Sequence, residues 1–213
     1  MAYKKQSAII FDLDDVLIST SSAILLRLSL LFKKYPIREG MFYIYHLLAN
    51  PERESILASK YNFSKEFLED YEKLRSVIRP RPIGDIKGKL ESLSQEDFEL
   101  GILTNSPLRK INEFIVSSSI DYSIFKIGIY SSETLPYLKP NPKCFSAIKN
   151  LDSYKEVFYV GDNIHDFHIA RENCINFKGV CTGLANRSDF IYVGVKTKDI
   201  FPSIQEVTFY GKN

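Results

Sequence analysis

The 213-residue chain has only three cysteines, Cys144, Cys174 and Cys181, and no two are spaced as a CxxC pair. The odd count and wide spacing exclude a disulfide framework and a zinc knuckle, and they fit a reducing compartment. Net charge is equally scarce, with 28 basic against 26 acidic residues leaving +2. The two signs are interspersed, apart from short basic clusters at Lys33-Lys34 and Arg79 to Arg81. No footprint for nucleic acid or a membrane surface is expected from such a distribution. A membrane-spanning run is missing, and the first apolar stretch, Ala8 to Phe11, is too short for a signal-peptide core. No internal repeat or low-complexity tract is visible. What remains is an ordinary globular composition, 45% apolar and 25% charged, long enough for one sizeable core or a core with a smaller insert. The expected location is the cytoplasm.

Short apolar runs at Ala8 to Phe11, Phe98 to Leu103, Phe125 to Tyr130 and Val157 to Val160 read as buried parallel strands, with a weaker fifth around Ile175 to Val180. Helical patterns separate them, and Ser106-Pro107 and Asn141-Pro142 each place a capping residue before a proline, which predicts two helix starts. This alternation predicts an α/β fold built on a doubly wound parallel sheet. The spacing is uneven in one place. About 85 residues lie between the first and second strands, where a crossover needs only about a dozen. Ile24, Leu25, Leu28, Leu31 and Phe32 form one helical stripe in that interval, and Phe67, Leu68, Tyr71, Leu74 and Ile78 form another. Met41 to Leu48 is apolar nearly all round and is expected to be buried. The expectation is a core of residues 1–17 and 80–213 carrying a helical insert of residues 18–79, closed by Arg79-Pro80-Arg81-Pro82.

In open α/β sheets ligands bind beyond the carboxyl ends of the strands, so the residues after each strand are the ones to read. Asp12 and Asp14 follow the first, two apart, and can face one site if the extended conformation persists. One could act as nucleophile or base while the other donates a proton, and both could hold a hard cation. Thr104, Asn105 and Ser106 follow the second strand, and Ser131 to Glu133 and then Leu138-Lys139-Pro140-Asn141-Pro142 follow the third. Gly161, Asp162 and Asn163 follow the fourth, with Asp166 one helical turn on. Each cluster alone reads as a strand exit, turn or helix cap, but the topology brings all of them to one sheet edge. Carboxylates so crowded repel one another unless a divalent cation sits among them, and hard oxygen donors favour Mg2+. Lys139 and two helix N-termini on the other side suit a dianion such as phosphate, with Thr104 and Asn105 donating to its oxygens. His165 and His168 lie close enough in sequence to suggest a transition metal, although a solvent-facing helical pair accounts for them better.

These segments resemble the motifs of the haloacid dehalogenase superfamily of phosphohydrolases, in the branch of phosphoglycolate phosphatase and β-phosphoglucomutase. Phe11-Asp12-Leu13-Asp14-Asp15-Val16-Leu17 is similar to the first motif and Ile102-Leu103-Thr104-Asn105-Ser106 to the second. Lys139-Pro140-Asn141-Pro142 resembles the third, and Val160-Gly161-Asp162-Asn163-Ile164-His165-Asp166 the fourth. The resemblance implies that Asp12 attacks phosphorus to give an aspartyl-phosphate, and that Asp14 protonates the leaving oxygen and then activates water. It implies a metal set of Asp12, Asp14 through its carbonyl, Asp162 and Asp166, the last supporting through water or through Lys139, with Thr104, Asn105 and Lys139 on the substrate. It also implies that the insert is a small mobile cap hinged at Leu17 to Ser19 and Arg79 to Ile83, where Arg38, Tyr43, Tyr45 and Arg53 are candidates for specificity. Asp15 stands where many members carry glycine, Val16 replaces a frequent threonine, and Ser19-Thr20 replaces a frequent Asp-Ser.

The expected activity is therefore Mg2+-dependent hydrolysis of a small phosphorylated metabolite, with neither nucleic acid nor membrane as partner. Two other readings stay open. A sugar phosphomutase uses the same aspartates and returns the phosphoryl group to substrate, and a non-catalytic binding protein could keep the scaffold. Dehalogenation does not call for Asp14, and phosphonate hydrolysis would want a Schiff-base lysine that the insert does not mark out. Nothing in the sequence sets the oligomeric state.

Overall fold

The computed structural model describes residues 6–35 and 63–209. Met41 to Leu48, Arg38, Tyr43, Tyr45 and Arg53 lie outside the described residues. The chain divides into two compact units, Met1–Ile18 with Pro82–Asn213, and Ser19–Arg81.

The first unit is built on six parallel strands: β1 (Ser7–Phe11), β2 (Phe98–Leu103), β3 (Gly128–Tyr130), β4 (Val157–Gly161), β5 (Asn176–Val180) and β6 (Ile200–Phe201). Their order is β3-β2-β1-β4-β5-β6, so the chain winds outward from β1 to β3 and then returns to the other side of β1 at β4. That reversal opens a crevice at the carboxyl end of β1, where doubly wound sheets bind ligands. Register fixes what meets there. Phe11 lies opposite Ile102 on one side and Val160 on the other, so Asp12, Thr104 and Asp162 leave the sheet at nearly the same level.

Both sheet faces are covered, which explains why β1 is apolar from Ala8 to Phe11 rather than alternating. Ile9, Phe11, Leu100, Ile102 and Val160 pack with Leu90 and Leu93 of α3 (Ile86–Gln95) and with Ile111 and Phe114 of α4 (Leu108–Ser117). On the opposite face Ile10, Leu103, Tyr159 and Phe177 pack with Ile169 and Ala170 of α5 (Ile164–Glu172) and Phe190 of α6 (Arg187–Tyr192). Side-chain caps begin three of these helices: Asp85 accepts from the Gly88 amide and Asn163 from that of His165, both at 3.0 Å, and Asn186 accepts from the Ser188 and Asp189 amides at the start of α6.

The second unit pairs α1 (Thr20–Lys34) with α2 (Lys65–Val77), burying Leu28, Leu31, Phe67 and Tyr71. Ser64 caps α2 by accepting from Phe67 N. The expected stripes are only partly realised, since Leu25 and Leu68 are exposed and the buried row of α1 includes Arg27. Arg27 belongs there because its guanidinium donates two hydrogen bonds to the Ile78 carbonyl, at 2.8 and 2.6 Å, and so satisfies the end of α2.

Four expectations about the sheet unit need correction. The third strand is half its expected length, because Phe125 closes a 3-10 turn at Tyr122–Ile124 and Gly128 enters the strand at φ +118, a backbone that favours glycine. The turn after Asn141 is a 3-10 helix, Pro142–Ala147, rather than an α-helix. Ser106 does not cap α4, since Pro107 takes that position and the Ser106 hydroxyl turns to Asp14. A sixth strand of two residues, β6, has no sequence signature at that length. Among the described residues no helix is long and apolar enough to cross a membrane.

Candidate active site

Asp12 is the first residue past β1. Its amide still donates to the Val160 carbonyl at 2.9 Å, and its own Oδ1 accepts from the Leu13 amide at 2.7 Å. The chain then closes a tight loop, with Leu17 N and Ile18 N both donating to the Leu13 carbonyl. Leu13, Val16 and Leu17 are wholly buried beneath it. Asp15 has φ +56, a left-handed conformation that glycine adopts freely and that aspartate tolerates better than most residues. That explains how aspartate can stand at this position. The Thr182 hydroxyl donates to the Asp15 carbonyl and ties the loop to the segment after β5.

Asp12, Asp162 and Asp166 each present a carboxylate oxygen within 4.8 Å of the others, and all three are buried. Among the described residues one ammonium faces them. Lys139 Nζ lies 2.7 Å from Asp12 Oδ2, 3.0 Å from Asp166 Oδ1 and 2.9 Å from the Tyr159 hydroxyl, which itself donates to Asp166 Oδ1 at 3.0 Å. Burial pushes the Asp12 carboxyl up to about 7, against the pull of Lys139. Burial, with the charges of Asp166, Asp12 and Asp15, pushes Asp162 well above the usual carboxylate range. Burial draws Lys139 down, but the carboxylates of Asp12 and Asp166 outweigh it and hold the ammonium charged. Three carboxylates against one lysine leave the cluster short of positive charge.

The residues fit a divalent cation on this structure's own observations. Asp166 Oδ2 is buried with no hydrogen-bond partner among the described residues, every candidate donor is a hard oxygen, and the backbone crowds close. A Cβ on Gly183 would stand 1.7 Å from Asp162 Oδ2, and one on Gly161 would stand 2.5 Å from Asp166 Cβ. The site therefore depends on glycine at two positions where the backbone presses against the clustered carboxylates. His165 and His168 are not part of the group; His165 is exposed.

Thr104 is buried at the end of β2, and its Oγ1 accepts from the Ser106 amide at 3.0 Å. Asn105 grips the Lys139 backbone from both sides: Nδ2 donates to its carbonyl at 2.8 Å and Oδ1 accepts from its amide at 2.9 Å. The amide thus fixes the lysine rather than pointing both its polar atoms at a ligand. Asp14 stands apart from the three-carboxylate cluster. Its Oδ2 accepts from Ser106 Oγ at 2.5 Å and its Oδ1 pairs with the Lys110 ammonium.

Sequence reasoning placed Asp12, Thr104, Lys139, Asp162 and Asp166 at one edge; the structure clusters Asp12, Lys139, Asp162 and Asp166 there, with Thr104 just past the end of the neighbouring strand β2. It passed over Tyr159 and Lys110. Tyr159 carried a signal, since a hydroxyl in the middle of an apolar strand needs a buried partner. Lys110, in the first turn of α4, carried none.

The sequence model of the haloacid dehalogenase-like hydrolases matches residues 9–180. No curated protein matches the chain. Among solved structures, a haloacid dehalogenase-like family hydrolase from Streptococcus pneumoniae superposes with TM-score 0.66 at 21% identity, covering 97% of either chain. A candidate β-phosphoglucomutase from Thermotoga maritima gives 0.71 at 18%, covering 94% of this chain and 95% of that one. A candidate hydrolase of the same superfamily from Bacillus subtilis, bound to magnesium, gives 0.61 at 19%, covering 83% and 89%. At these identities the likeness to solved structures is one of fold.

Proposed function

The chain belongs to the haloacid dehalogenase-like hydrolases, and from that membership we propose that it is a magnesium-dependent phosphatase acting on a small phosphomonoester. The observation that carries this reading is the buried Asp12, Asp162 and Asp166 cluster with Lys139 against Asp12. Such a site suits a cation and a phosphoryl dianion side by side.

Asp12, the carbonyl of Asp14, Asp162 and Asp166 would hold the metal, which when bound would neutralise the carboxylates and draw charge from the phosphoryl oxygens. Thr104 and Lys139 bind the phosphoryl group, with Asn105 holding Lys139 in place. An Asp12 carboxylate oxygen attacks phosphorus as the bond to the leaving oxygen breaks, and Asp14 gives that oxygen its proton. Asp14, now a carboxylate, takes a proton from water. The hydroxide formed attacks phosphorus, the bond to Asp12 breaks, and inorganic phosphate and free Asp12 result.

Phosphate release from a panel of phosphosugars, nucleotides and phosphoglycolate, with Mg2+ present, tests the reading. Asp12→Asn is expected to remove turnover and leave the fold intact, and equal activity in that variant would overturn the nucleophile. Interconversion of sugar phosphates without free phosphate would make the protein a phosphomutase. Neither activity, with no rise in melting temperature on adding a phosphate mimic, would make it a binding protein.

A further inference from the structure

We propose that Ser106 and Lys110 are positioning residues that fix the rotamer of Asp14 and keep its carboxylate out of the metal cluster, available for proton transfer. This rests on the phosphatase reading above. Five carboxylates, those of Asp12, Asp14, Asp15, Asp162 and Asp166, gather at the carboxyl edge of β1 and β4, yet among the described residues only Asp12, Asp162 and Asp166 form a group within 4.8 Å of one another. Asp14, two residues from Asp12, is held off by contacts at both its oxygens. The Ser106 hydroxyl is on Oδ2 at 2.5 Å and the Lys110 ammonium is on Oδ1.

The hold is itself anchored. Ser106 N donates to Thr104 Oγ1 at 3.0 Å, the Ser106 carbonyl accepts from Ser132 N at 3.1 Å, and Lys110 N donates to the Pro107 carbonyl at 2.9 Å. Residues 104–110 therefore carry both the proposed phosphoryl-binding hydroxyl and the grip on the acid/base. An aspartate held at one oxygen still turns about its last bond; held at two, it does not, and that preorganisation is what efficient proton delivery needs. The chemistry of the two partners also suits the task. A serine hydroxyl donates to a carboxylate and accepts from a carboxylic acid, so it serves Asp14 in either half of the reaction. Lys110 is partly exposed, with 25% of its side-chain surface open against 29% for Asp14, so the pair lies where a leaving group can reach it.

The test compares an alkyl phosphomonoester with p-nitrophenyl phosphate, whose phenolate departs without a proton. Lys110→Met is expected to lower kcat/KM for the alkyl ester at least about tenfold and that for the aryl ester less than about threefold. Lys110→Arg should restore most of the alkyl activity, and Ser106→Ala should give a milder form of the same selectivity. Asp14→Asn supplies the reference, with a larger loss on the alkyl ester. A loss in Lys110→Met equal for both esters, no loss, or a gain, with Asp14→Asn still selective, overturns the positioning role while the phosphatase reading stands. If Asp14→Asn treats both esters alike, the proton-carrier assignment and the positioning role fall together. Melting temperatures of the variants separate loss of fold from loss of positioning.

Discussion

The Tyr159 hydroxyl lies 3.0 Å from Asp166 Oδ1, and that oxygen also receives the Lys139 ammonium at 3.0 Å. Tyr159 is wholly buried on β4, with its ring edge-on to Phe145 at 5.2 Å between centroids. Two donors on one oxygen fix the orientation of the carboxylate, while the other oxygen, Oδ2, is buried with no hydrogen-bond partner among the described residues. Tyr159→Phe keeps the ring and removes the hydroxyl. It should leave a folded protein that binds Mg2+ about tenfold more weakly, a loss typical when the group orienting a metal ligand is removed, read by calorimetric titration.

Gly183 has no room for a side chain, because its Cβ would lie 1.7 Å from Asp162 Oδ2 and 2.8 Å from Asp162 Cβ. Gly183→Ala must move either the loop or the carboxylate. The expected outcome is destabilisation of about 1–3 kcal/mol in denaturant unfolding, together with weaker Mg2+ binding.

The raised Asp12 carboxyl gives a signed pH dependence. With a value near 3.8 unfolded and about 7 folded, the folded protein keeps a proton that the unfolded chain gives up. Stability from this group is therefore full below about 4 and falls as the pH rises toward 7. Without metal, Asp12→Asn should gain on the wild type over that window, by a melting-temperature difference on the order of 5 °C. Adding Mg2+ should help the wild type more at pH 7.5 than at pH 5. A difference that stays flat with pH would place the proton elsewhere.

Asp15 at φ +56 predicts an ordering of variants. Asp15→Gly and Asp15→Ala lose the same carboxylate, but only glycine takes the left-handed backbone without strain. The glycine variant should be more stable than the alanine variant by about 1 kcal/mol, measured by urea unfolding.

Much of this site could be read from the chain because its polar residues interrupt apolar runs at strand ends. Asp12 after Ile9-Ile10-Phe11, and Asp162 after Phe158-Tyr159-Val160, are visible as breaks, and a parallel sheet then has to gather them on one edge. The residues that hold others in place are harder to see. Lys110 looks like any surface lysine until α4 is set against the Asp12 loop. Asn105 read as a ligand-facing amide, yet its bonds to Lys139 depend on where the chain returns after β3. Arg27 sits in an apolar stripe only because the end of α2 presents the Ile78 carbonyl to it. Elements of two or three residues, such as β6, owe their existence to a neighbouring strand and leave no periodicity to detect.

Ile18 and Pro82 meet in an antiparallel bridge, and Ile83 N donates to the Leu17 carbonyl at 3.0 Å. The chain thus leaves the sheet unit and re-enters it at adjacent points. An excursion that begins and ends at one spot is topologically neutral: it can be shortened, lengthened or exchanged without asking any strand to change its neighbour or register. Joining Ile18 to Pro82 through a short turn should leave a sheet unit able to fold by itself, and grafting a different helical segment between them should leave Asp12 where it is. In this architecture the chemistry and the excursion can be inherited separately.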